Sequence, residues 1–173
     1  MKRTTLRNMK LGIVMTLVIL VISVVPVIPQ SVTAQSEAPE RSLVGVWLVK
    51  ITPRNCTTGD PIAAFESLWT FHKDGTMLFS VNNSFVLERT AAHGLWRRDL
   101  GWSDYSFKFV HLRRTLTTGL FAGKQESGGT LLLSESGDEF TTDAHTIVYS
   151  VDGIPTLPPG CSNAVGTRFK LEP

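Results

Sequence analysis

From Leu43 onward, apolar and polar residues alternate in short runs separated by glycine, asparagine, aspartate and proline, and no stretch keeps apolar residues at helical spacing for three turns. The pattern predicts an all-β domain. Leu43 to Ile51 reads as a first strand, apolar on both faces. Phe65 to His72 alternates more cleanly, with Phe65, Ser67, Trp69 and Phe71 on one face and Glu66, Leu68, Thr70 and His72 on the other. Lys73-Asp74-Gly75 is a tight-turn signal, and Thr76 to Val81 returns as its hairpin partner. Asn82 to Ala92 reads as a loop or irregular edge, followed by a short strand from His93 to Arg98 and a turn at Leu100-Gly101-Trp102-Ser103. Tyr105 to Arg113 is the most regular strand. Tyr105, Phe107, Phe109 and His111 share one face, and Ser106, Lys108, Val110 and Leu112 the other. Gly119 to Ser134 reads either as two strands broken at Gly128-Gly129 or as one strand bent there by a bulge. Ser136-Gly137-Asp138 is a further turn, Phe140 to Val151 a strand, Asp152 to Pro159 a proline-rich loop, and Val165 to Leu171 the last strand.

Composition alters this picture at the N-terminus. The chain has 173 residues, 42% apolar and 18% charged, which suits one domain. Residues 1–34 have the form of a secretory signal peptide: basic Lys2, Arg3, Arg7 and Lys10, an apolar run from Leu11 to Ile28, and small or modest side chains at Val32-Thr33-Ala34. Cleavage before Gln35 is expected, leaving a linker over 35–42 and a barrel or sandwich domain over 43–173. An uncleaved anchor is the alternative, although Pro26 and Pro29 interrupt the end of the run. Setting the four leader cations aside turns 17 basic and 15 acidic residues into 13 and 15, so the domain itself shows no basic excess for nucleic acid or an acidic membrane. The expected location is secreted or periplasmic, with no membrane contact once the leader is removed.

Cys56 and Cys161 are the two cysteines, and in an exported chain they read as one disulfide rather than two buried thiols. Cys56 follows the first predicted strand and Cys161 precedes the last. If an even number of antiparallel strands curls into a ring, these two positions meet at one rim. With nine up-and-down strands they lie at opposite ends, beyond the Cα separation of roughly 7 Å that a disulfide permits. Gly119 to Ser134 is therefore read as one bent strand, and the predicted fold is a closed eight-stranded antiparallel up-and-down β-barrel with one disulfide. A sandwich of short strands is the alternative.

Reaction machinery is mostly missing from the sequence. There is no Gly-x-Ser-x-Gly elbow, phosphate-cradling loop, His-Glu-x-x-His or calcium-loop pattern. His72, His93, His111 and His145 are scattered one to a strand, and neither a metal site nor a cofactor is expected. Glu135, Asp138 and Glu139 flank a turn and read as solvated acids. Arg54 to Pro61 reads as a rigid rim anchored by the disulfide, and Asn55-Cys56-Thr57 and Asn82-Asn83-Ser84 match glycosylation acceptors. The inward positions Trp69, Phe71, Tyr105, Phe107 and Phe109 form either a pocket wall for an apolar ligand or a filled core. His111 is either a polar handle at the mouth of that pocket or a strand-end histidine bonded to solvent.

Gly45-Val46-Trp47 on the first strand resembles the Gly-x-Trp signature of the lipocalins and their calycin relatives. Ser103-Asp104-Tyr105 is similar to the Thr-Asp-Tyr element of that family, and Arg168 on the last strand is similar to the arginine that packs over the first-strand tryptophan. The resemblance implies an eight-strand barrel, with Gly45, Trp47 and Arg168 as structural residues at its closed end. Size and strand count are also similar to the barrels of allene oxide cyclases and dirigent proteins. Three functions follow as expectations. The first is a secreted, non-enzymatic barrel binding a small apolar molecule through Trp69, Phe71, Phe107 and Phe109, with Tyr105 and His111 as polar handles. The second is an interaction module with a solid core. The third is a barrel-type cyclase in which His111 or Tyr105 assists a proton shift. An enclosed space of about 300 Å³ or more separates the binding and cyclase readings from the solid module.

Overall fold

The structure, a computed structural model, describes residues 41–81 and 87–171. The predicted signal peptide, most of the linker and the Asn82-Asn83-Ser84 acceptor lie outside the described residues. Nine strands are formed: β1 (Gly45–Arg54), β2 (Phe65–Phe71), β3 (Thr76–Val81), β4 (Leu87–Arg89), β5 (Ala92–Arg98), β6 (Asp104–Thr115), β7 (Phe121–Leu133), β8 (Glu139–Tyr149) and β9 (Gly160–Arg168). There is no helix among the described residues. All pairings are antiparallel, each strand except β4 follows the sequence order around the ring, and the ring closes where β1 meets β9. β4 and β5 both pair with β6 and make one interrupted stave, so the nine strands form a closed barrel of eight staves. Closure removes the sandwich alternative and leaves no long unpaired edge.

Three departures from the sequence reading shape the barrel. Within the stretch read as a loop from Asn82 to Ala92, residues 87–89 join the sheet as β4. The last strand spans Gly160–Arg168 rather than Val165 to Leu171, because Cys161, Ser162 and Asn163 pair with both β1 and β8 and Gly160 pairs with β8. Gly119 to Ser134 is a single strand, but the irregularity is not at Gly128-Gly129. Those two glycines stay in continuous register with β6 and β8. The extra residue lies nearer the strand start, where Leu112↔Lys124 is followed by Arg114↔Phe121. Gly123 sits in that step with φ +100°, and a Cβ there would stand 2.1 Å from the Tyr149 carbonyl oxygen. Glycine is required at this position both by its dihedral and by the close approach of β8.

Cys56 and Cys161 are disulfide-bonded with Cα atoms 5.2 Å apart. They staple β1 to β9 at the rim where β1, β3, β6 and β8 end, as the count of staves required. The opposite end is filled. Trp47, Phe71, Tyr105, Phe140, Leu43, Met77 and Leu133 are its largest fully buried side chains. Trp47 packs 4.8 Å from Phe140, and the Phe140 ring lies against Gly166, where a Cβ would be 2.3 Å from the ring. The Trp47 indole N–H donates to the Leu43 carbonyl at 2.9 Å. Arg168 stands over the Trp47 ring at 4.3 Å and donates to the carbonyls of Ser42, Val44 and Gly137. One guanidinium thus ties the segment before β1 to the β7–β8 turn and seals this end.

Candidate ligand-binding cavity

Above this floor the barrel is hollow. A cavity of about 260 Å³ opens toward the disulfide rim. It has two unlike walls. Ile51, Phe65, Trp69, Phe79, Phe107 and Phe109, from β1, β2, β3 and β6, make an apolar and largely aromatic side. Gln125, Ser127, Thr142, Thr146 and Ser162, from β7, β8 and β9, make a polar one. The division follows from period-two alternation, since residues of one parity on every stave face inward. β2 and β6 spend that parity on aromatics, whereas the mouth halves of β7 and β8 spend it on small polar residues.

Trp69 separates floor from cavity. Its ring lies 5.2 to 6.0 Å from those of Phe71, Phe79, Phe107, Phe109 and Phe140. Its indole N–H donates to the Ser67 hydroxyl at 3.0 Å, and Ser67 in turn donates to the Val49 carbonyl at 3.2 Å. The one polar atom of this large buried side chain is therefore satisfied. Phe79 and Phe109 stack at 4.7 Å, continuing the aromatic wall toward the mouth.

His111 closes the aromatic wall at the mouth end and is 1% exposed. Its position depends on the break between β4 and β5. In a regular antiparallel pair, Thr90 and Leu112 would exchange two backbone hydrogen bonds. Thr90 N–H does donate to the Leu112 carbonyl at 3.0 Å, but the Leu112 N–H goes to the Thr90 hydroxyl at 3.2 Å. That substitution leaves the Thr90 carbonyl for His111 Nδ1, 2.7 Å away. Because a carbonyl only accepts, Nδ1 carries the proton and Nε2 is the bare nitrogen of a neutral ring. Nε2 is buried and has no hydrogen-bonding partner among the described residues. Burial holds the His111 pKa below its ordinary value, with the Arg89 charge acting the same way and the Thr90 bond opposing both. Arg89 also lines the cavity, and burial first, then Arg113 opposite it in register, lowers its pKa from the usual guanidinium value.

Of the six residues expected at a ligand site, Trp69, Phe107, Phe109 and His111 line the cavity together. Phe71 and Tyr105 do not. Both lie in the filled end, where Phe71 packs on Phe140 and the Tyr105 hydroxyl accepts from Arg98 at 3.0 Å. Their strands carry inward residues past the cavity floor, so sharing a face was not the same as sharing a space. The polar wall and Arg89 went unrecognised in the sequence. Inward parity at Gln125-x-Ser127 and Thr142-x-Ala144-x-Thr146 was the available signal. Among the described residues, no group of histidines, cysteines and carboxylates is arranged to hold a metal, and no helix is long and apolar enough to cross a membrane.

Compared with known proteins, the chain matches no family model and no curated protein. The functional reading therefore rests on the barrel, its floor and its cavity.

Proposed function

We propose that the protein is an exported, lipocalin-like barrel that binds one small apolar molecule in the half-hollow interior. The carrying observation is the cavity itself: about 260 Å³ walled on one side by Trp69, Phe79, Phe107 and Phe109. At this size the cavity falls short of the roughly 300 Å³ expected from the sequence to mark a binder of drug-sized molecules, but roughly 150 Å³ with an apolar lining already accepts a benzene-sized guest. The occupant is accordingly of one or two rings or a short branched chain, smaller than a long-chain lipid. The long loop closed by the disulfide fits an oxidising compartment, and the guanidinium sealing the floor over Trp47 fits the lipocalin-like plan.

A cyclase-type reaction has one observation in its favour, the neutral imidazole facing the cavity. A proton shift also needs a group to return the proton. Among the described cavity-lining residues, only Arg89 accompanies His111 as a titratable side chain, and a guanidinium is a poor proton donor. Binding is the better-supported function.

Intrinsic tryptophan fluorescence titrated with a panel of small aromatic and terpenoid compounds tests the reading. A saturable one-to-one change in wild type is expected, and Trp69→Phe should remove most of it while Trp47, Trp96 and Trp102 remain. No saturable change with any member of the panel would refute the binding function.

A further inference from the structure

The cavity's apolar wall says that the occupant is small and largely apolar; the remaining question is what its polar end must be. Three features meet at one corner of the mouth. His111 Nε2 is a buried lone pair with no donor among the described residues. Its tautomer is fixed from behind by the Thr90 carbonyl at 2.7 Å from Nδ1, so the ring cannot turn its N–H toward the cavity without giving up that bond. Gln125, the register partner of His111 across β6 and β7, lines the same cavity and carries both an amide donor and an acceptor.

We infer that the bound molecule is a small aromatic or alicyclic alcohol or phenol, whose hydroxyl donates to His111 Nε2 while its ring lies against Phe79 and Phe109. The inference rests on the proposed binding function and specifies its ligand class. A hydroxyl suits the corner in both senses: its hydrogen meets the bare nitrogen, and its oxygen can accept from the Gln125 amide. A plain hydrocarbon would leave the lone pair as unsatisfied as it is in the empty barrel, forgoing the bond that a hydroxyl supplies. An ether or ketone offers only acceptors and would set oxygen against nitrogen. The rings beside His111 are edge-on, Phe79 at 4.9 Å and Phe109 at 5.6 Å, so the imidazole is clamped and needs little reorganisation to receive the donor. Its lowered pKa, caused chiefly by burial, keeps Nε2 an acceptor at neutral pH.

The test compares p-cresol, toluene and 4-methylanisole by titration calorimetry on the mature wild-type protein and on His111→Leu. Wild type should prefer p-cresol over both comparators, and that preference should fall by about tenfold in His111→Leu, the loss of one hydrogen bond. His111→Gln, which restores an acceptor, should recover part of it. Because His111→Leu also changes the packing, the wild-type imidazole nitrogen resonances supply a second reading: the bare-nitrogen signal should move on adding p-cresol and stay in place on adding toluene. Equal affinity for p-cresol and toluene in wild type, together with an unmoved nitrogen signal, would overturn the inference and leave the apolar binding function standing. Failure of all three compounds to bind would overturn both.

Discussion

His111 couples the cavity to pH through a simple imbalance. Its neutral form is favoured in the fold by burial and by Arg89, whereas in the unfolded chain it titrates near 6.5. Between these two pKa values the unfolded chain holds more protons than the folded one, so folding stability is complete above about pH 6.5 and declines as pH falls toward the lower folded value. Melting temperature followed between about pH 7.5 and pH 5 should decrease on acidification. His111→Gln should show a shallower decrease, and parallel slopes for the two proteins would contradict the burial of a neutral ring. The residue itself was legible: alternation along Tyr105, Phe107, Phe109 and His111 placed all four inward. Its chemistry was not, because the bond that fixes the tautomer comes from Thr90, in a stretch whose mixed polar pattern gave no sign of sheet pairing. Phe71 and Tyr105 show the converse limit, since alternation fixes a face but not the depth along the barrel at which a side chain lies.

At the scale of the strands, the two irregular places do the shaping. The break between β4 and β5 sets five residues, Arg89 to His93, against four on β6, Arg113 to Val110, and releases the Thr90 carbonyl to the histidine. The bulge in β7 bends that long strand near the mouth, where Gly123 adopts φ +100° beneath the Tyr149 carbonyl. Gly123→Ala should cost about 2–4 kcal/mol, from both a dihedral that side chains avoid and a Cβ driven into backbone. Urea unfolding would show this as a lower midpoint at unchanged slope; an unshifted midpoint would mean that β7 closes the ring without the bulge. Strand positions were readable wherever period two was clean, as in β2 and β6. The bulge was sought at Gly128-Gly129 because paired glycines are a local signal, while the real determinant, the approach of β8 over Gly123, is tertiary. β9 was read too late for the same kind of reason: Cys161 to Asn163 are strand residues because two neighbours pair with them, not because of their own propensity.

For the whole molecule, parity and the two cysteines carried the argument for closure, since only an even number of staves brings Cys56 and Cys161 to one rim. The structure then divides the interior that sequence alone had left as either filled or hollow. The end sealed by Trp47, Phe140 and Arg168 is solid, and the disulfide end is open. That asymmetry gives the domain a rigid base and an open mouth, which supports the proposed binding function. Ala144 lies on the polar wall with its side chain buried at the cavity surface, so an aromatic ring introduced there would occupy the space itself. Calorimetric titration of toluene into wild type and into Ala144→Phe measures the hollow directly. Wild type should give a saturable one-to-one heat and the variant none, with the variant melting no lower. Absence of binding to wild type, or equal binding to both proteins, would contradict a ligand cavity inside the barrel.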